Sequence, residues 1–247
     1  MTRRSSRTPR ALLAAGVLSL ALLGSGCSQL GLSDDDKSSD AKPTPSASPT
    51  AAQPAFDSQF TRDGTFQSHI TLDQAPGMDF VYTLYPTKST PRTNEWYPKG
   101  GKYFSFTFQA YDLSQDIRAP FKTKRKVYLS HVAVTSATTT SNGGATESPY
   151  TLDAKAPKVT FDPQPLTTKW GMLITSPKGA FELRNQEIGD VSDDTIGVTL
   201  TLTADVAVET AAGSGKFTRQ QVTQQVPIAI FASDQPTTSQ SIPVDAN

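Results

Sequence analysis

Histidine is the side chain best placed for proton chemistry near neutral pH, because its charge changes there. The 247-residue chain has two, His69 and His131. His131 follows Ser130, and with Ser130 or Asp112 it has the residue types of a hydrolytic relay. A relay also needs a nucleophile held on a sharp turn, and no Gly-x-Ser-x-Gly segment is present. Two separated histidines and the single cysteine, Cys27, do not make a zinc set. Both histidines therefore read as structural, with no catalytic residue and no metal ligand assigned. Asp190, Ser192 and Asp194 alternate oxygens as a calcium loop does at its start. Thr195 stands where that loop turns on Gly, and Thr201 where it ends on Glu. A polar turn entering a strand is the simpler expectation.

Two other groups have the chemistry of binding. Ten of the 21 aromatics fall between Phe80 and Tyr111. Most alternate as core residues do, but Trp96 and Tyr97 sit in a polar segment, Pro91–Lys99. Flat rings in a loop stack on sugars or on a protein partner; they equally cap the open end of a core. The second group is basic: Lys122, Lys124, Arg125 and Lys126. It suits anionic headgroups, wall polymers or phosphates, or else guards the edge of a sheet. Neither common phosphate-cradling glycine loop occurs, and no cofactor is expected.

The ends of the chain indicate where this chemistry takes place. Residues 1–10 carry Arg3, Arg4, Arg7 and Arg10 and no acid; residues 11–23 are apolar apart from Ser19. Gly24-Ser25-Gly26-Cys27 follows. A positive start, a short apolar core and a small-residue cleavage site make a secretory leader. The apolar core is shorter than the roughly 20 residues that span a bilayer. Leu22-Leu23-Gly24-Ser25-Gly26-Cys27 resembles the lipobox of bacterial lipoproteins, with Gly24 where that class usually has Leu. The resemblance covers the first 27 residues and implies that Cys27 becomes the acylated first residue of a chain anchored to the outside of the cell membrane. Removing residues 1–26 takes away four Arg and no acid, so 23 basic against 23 acidic residues become 19 against 23. A mildly acidic chain does not suit nucleic acid, whose binders are basic on at least one face.

These groups need a scaffold. Residues 27–58 are Ser-, Pro- and Asp-rich, with Asp34–Asp36 a solvated charge run. They lack the apolar surface to offset the entropy of ordering and read as a tether. From residue 59 to 235 the pattern alternates with period two. Ile196, Val198, Leu200, Leu202, Ala204, Val206 and Val208 share one face of a strand over 195–209. A Gly-bearing turn then leads into Phe217–Phe231, predicting a long antiparallel hairpin. Strands are also expected over 79–85, 102–111 and 126–136, with weaker signals at 66–72, 158–161, 170–175 and 180–184. The expectation is an all-β, antiparallel sandwich, immunoglobulin-like or similar, followed by a flexible tail over 236–247.

An anchor, a spacer and an all-β head without catalytic motifs point to a non-enzymatic binding or envelope-accessory module. Its expected partners are the membrane, through the lipid, and a cell-wall polymer or an envelope protein. The alternative is a carbohydrate-active or wall-modifying enzyme, which needs two acids paired across a cleft.

Overall fold

The chain forms an all-β sandwich. The computed structural model describes residues 56–88 and 93–232. The leader, Cys27, nearly all of the tether and the tail at 236–247 lie outside the described residues.

Alternation of apolar and polar residues dictates the strands, and it places them in two antiparallel sheets. The first contains β1 (Phe66–Ile70), β2 (Met78–Pro86), β3 (Lys102–Asp112) and β8 (Phe181–Ile188), in that spatial order. The second runs β10 (Phe217–Ala229), β9 (Thr195–Glu209), β4 (Val127–Thr140), β7 (Gly171–Leu173) and β6 (Thr167–Thr168). A further strand, β5 (Thr151–Lys155), pairs with β4.

The inner faces meet in one core. Phe80, Tyr82, Leu84, Phe104, Phe106 and Phe108 come from the first sheet. Leu129, Val132, Val134, Val198, Leu200, Leu202, Val222 and Val226 come from the second. Full burial of one such side chain contributes about 1.5–3 kcal/mol. Tyr82 and Phe108 also stack, with ring centroids 4.2 Å apart. The expected hairpin is the longest element of the fold. β9 and β10 keep an unbroken register from Glu209↔Phe217 to Gly197↔Ala229.

Both flanks of the sandwich are tied. On one, the chain leaves β7 and switches sheets. Ile174 donates its N–H to Val127 of β4 (2.9 Å), while Ala110 of β3 donates to the carbonyl of Ile174 (2.9 Å). On the other, a short helix, α1 (Gln59–Asp63), packs on the last turn of β10. Ser58 caps it by accepting the Thr61 N–H (3.0 Å) and donates its own hydroxyl to the Pro227 carbonyl (2.8 Å). Ser58 is buried, and the Phe56 ring lies against Gly197. Phe56 and Ser58, inside the stretch assigned to the tether, thus pack on the folded unit, one covering a glycine and the other capping a helix.

One smaller expectation is corrected. Residues 158–161 are not a strand: α2 (Ala156–Val159) carries Pro157 in its first turn, where the fixed φ of proline suits a helix. β5 and β6 carried no readable pattern. β5 exposes both ends and its centre, and β6 is two exposed residues long.

Candidate functional site

The structure separates the two groups of binding candidates. Trp96 bonds to the start of β9 through the segment after β10, whereas Lys126 pairs with Glu209 at the end of β9. Thirteen residues of extended chain lie between, roughly 40 Å.

Trp96 is fully buried. Its ring meets Phe60 of α1 edge-on at 5.1 Å, its Nε1–H donates to the Thr93 carbonyl (3.3 Å), and its carbonyl accepts the Phe231 N–H (2.8 Å). Capping the core is its role, so the expectation that it stacks on a ligand is corrected. Tyr97 is half-buried beside Phe231, 6.2 Å between centroids.

The basic run is spent on internal partners. Lys124 is buried and donates to the carbonyls of Asp116 (2.8 Å) and Ile117 (3.2 Å). Arg125 grips Asp112 through Nη2 (2.8 Å) and through its backbone N–H (2.8 Å). Burial alone would raise the Asp112 carboxyl, but the Arg125 and Ser114 hydrogen bonds outweigh it and hold it down at about 2. Lys126 faces Glu209 (3.6 Å). Glu209 is pulled below the ordinary carboxylate value: burial pushes it up, and the N–H groups of Gly215 and Lys126 with the Lys126 ammonium overcome that. Only Lys122 is exposed. The expectation of an anion-binding patch is corrected, because a cation already held by a carboxylate or by carbonyls has little left to offer an anion. Nor does the run guard an edge, since it leads into β4, an interior strand of its sheet.

His69 Nδ1 lies 2.7 Å from Asp79. His131 sits between Asp153 of β5 (2.8 Å) and Asp205 of β9 (3.8 Å). Among the described residues the hydrogen-bond and ion-pair partners of both rings are carboxylates, with no serine hydroxyl bonded to either. At the acidic turn, Ser192 bonds to Thr195 (2.9 Å) and takes the Glu147 carboxylate on its N–H (3.1 Å). No group of three metal-ligating side chains occurs among the described residues.

The site that does emerge lies on the outer face of the six-stranded sheet. Along β9, Val206 and Val208 point into the core, so Asp205, Ala207 and Glu209 point out. There Tyr128, Leu173 and Ala207 form a second apolar cluster with Phe121, Trp170 and Phe217 against it. Trp170 is delivered by a tight hairpin. Thr168 pairs with Gly171, leaving Lys169 and Trp170 as the two-residue tip. The hairpin extends the sheet beside β4, where Gly171, at φ 119°, approaches the Leu129 backbone more closely than any side chain allows. Trp170 is only half-buried; its ring meets Phe217 at 5.2 Å. The exposed Lys169 ammonium and Arg219 guanidinium lie 5.3 and 5.7 Å from its centroid.

Two depressions of about 450 and 370 Å³ meet at Lys169 and Trp170. The first is lined by Ser130, Asp205, Arg219, Gln220 and Gln221, and the second by Tyr128, Glu209 and Phe217. Asp205 and Glu209 are four residues apart on one strand, about 13 Å, wider than the roughly 5–10 Å that paired glycosidic acids need. Sequence reasoning missed this surface because Trp170 read as the first residue of a weak strand. The signal was present in Thr-Thr-Lys-Trp-Gly: a polar pair, two residues and a glycine, as in a hairpin tip. Comparison with known proteins adds no relative: no family model, no curated protein and no solved structure matches the chain.

Proposed function

We propose that the protein is a lipid-anchored, extracytoplasmic binding module, not an enzyme, and that it holds a cell-wall polysaccharide across the outer face of its six-stranded sheet. The single observation that supports this best is Trp170, a half-exposed indole on a hairpin tip over two joined depressions. A sugar ring presents a C–H face that stacks on an indole, and hydroxyls that planar polar groups accept or donate to. Asp205, Arg219, Gln220 and Gln221 are such groups and lie beside Trp170. Lys169 and Arg219 make no ion pair with a described residue, so both stay available to acidic sugars or phosphates. The anchor rests on the resemblance of residues 22–27 to a lipobox, and the tether gives the head its reach into the wall.

The test has two arms. The mature chain made soluble by Cys27→Ser is expected to be retained by insoluble wall polysaccharide, and Trp170→Ala to lose that retention. Equal retention of both proteins would refute the assigned surface. In cells, Cys27→Ser should abolish fatty-acid labelling; unchanged labelling would refute the anchor.

A further inference from the structure

Among the described residues one long sheet edge is unguarded, and we infer that β10 pairs through it with β10 of a second copy, antiparallel and about a two-fold axis. β9 occupies one side of β10. On the other, α1 covers only the last residues, leaving 217–226 without a strand partner among the described residues.

The direction of each backbone group on that edge can be derived. The Ala229 N–H goes to the Thr61 hydroxyl (3.1 Å) and the Pro227 carbonyl accepts from Ser58 (2.8 Å), both away from β9. The Ile230 N–H turns back to Ile196 (3.0 Å). In an antiparallel ladder without a register shift these directions alternate. Phe217, Arg219, Gln221, Thr223 and Gln225 therefore point their N–H and C=O groups outward. The Gln225 carbonyl agrees, since it accepts its neighbour's side-chain amide (2.6 Å) and not a ladder bond.

Proteins ordinarily blunt such an edge by shortness, bulges, proline or charge. The other edges here follow that rule. β1 has five residues and β6 has two. β8 is broken by a register shift opposite Phe104–Phe106, with Asn185 at φ 53°. β10 has thirteen residues, no shift, one charge (Arg219), and its proline at 227 beneath α1.

A second copy fits the edge. With the two-fold at Gln221, Arg219 faces Thr223 and Phe217 faces Gln225, so no like charges oppose each other. Ser58 meets this edge at Pro227, and the sequence before Phe56 carries Pro43, Pro45, Pro49 and Pro54, which lack the donors a strand would need. Pairing about this axis joins two six-stranded sheets and puts both Trp170 surfaces on one face, although the pairing does not depend on any ligand.

The experiment is light scattering of the mature Cys27→Ser chain over a dilution series, beside Thr223→Pro. Thr223 points its N–H outward and Pro227 occupies an equivalent outward-facing position in the native strand, so proline at 223 removes no bond of the β9 ladder. The expected result is a dimer for the parent and a monomer for Thr223→Pro that still unfolds cooperatively. A second readout holds even if the proline variant misfolds. Gln221→Cys introduces the sole thiol of the Cys27→Ser chain, at the two-fold, and should oxidise to a disulfide-linked dimer. A parent that is monomeric at every concentration overturns the inference, whether its β10 amides exchange freely or are protected by its own chain. So does a dimer that persists in Thr223→Pro, or a Gln221→Cys protein that stays reduced.

Discussion

Gly171 lies against the backbone of Leu129 so closely that a Cβ on it would overlap the Leu129 carbonyl. This approach sets the 167–171 hairpin against the edge of β4 and fixes where Trp170 stands. Gly171→Ala adds that Cβ at φ 119°, a backbone conformation that alanine resists. A stability loss above about 1 kcal/mol is expected. The hairpin should lift as well, seen as a red shift in the emission of Trp170 and as weaker polysaccharide retention. A variant with parental stability and emission would contradict this.

Trp96 and Trp170 should behave oppositely on truncation. Trp96→Ala empties a fully buried site against Phe60 and is expected to cost about 3–5 kcal/mol. Trp170→Ala removes a half-exposed ring and should cost less than Trp96→Ala, with the loss appearing in binding. Denaturant unfolding of the two variants decides; equal destabilisation would contradict the assignment.

Asp112 and Arg125 form a largely buried pair, with side chains 1% and 12% exposed. Asp112→Ala strands the guanidinium, and a loss of about 3–5 kcal/mol is expected. The pH dependence follows from the carboxyl's fall from 3.8 to about 2. Because the folded value is the lower one, the stabilisation is complete above the unfolded value and is lost as pH falls from 3.8 through 2. Unfolding midpoints of parent and Asp112→Asn should therefore converge on acidification through that window. A constant gap would contradict the pairing.

Lys102 gives the alkaline counterpart. Its ammonium is buried and donates to the carbonyls of Tyr97 (3.2 Å), Pro98 (2.9 Å) and Gly100 (2.8 Å). Burial lowers it from 10.5 to about 8, against the opposing pull of Asp190. Between 8 and 10.5 the unfolded chain binds more protons than the folded one, so this group makes stability rise with pH. Relative to Lys102→Met, the parent should gain stability over that interval; a flat difference would count against the assignment.

The fold was legible where the pattern was long. β9 reads in the sequence because six of its seven alternate apolar side chains serve a single core, and β10 follows because its turn glycines, Gly213 and Gly215, adopt the positive φ a hairpin end uses. β5 and β6 were illegible because a strand held by main-chain bonds on a solvated surface needs no apolar code. The site was legible only in kind. Two tryptophans look alike in polar surroundings, and what distinguishes them is tertiary. Phe60 packs on the Trp96 ring and Phe231 bonds to its carbonyl, each from more than 30 positions away, while Gly171 on Leu129 holds Trp170 at the surface. The basic run misled for the same reason, since its counterions Asp112 and Glu209 lie 13 and 83 residues from Arg125 and Lys126.

The most direct measurement is iodide quenching of tryptophan emission in the soluble Cys27→Ser chain, with and without solubilised wall polysaccharide. Trp96 is enclosed and Trp170 is flanked by two cations, so the quenchable emission belongs to Trp170. The account predicts that polysaccharide shields this emission and that Trp170→Phe abolishes both the quenching and the shielding. Quenching that saturating polysaccharide leaves unchanged, or shielding that persists in Trp170→Phe, would contradict it.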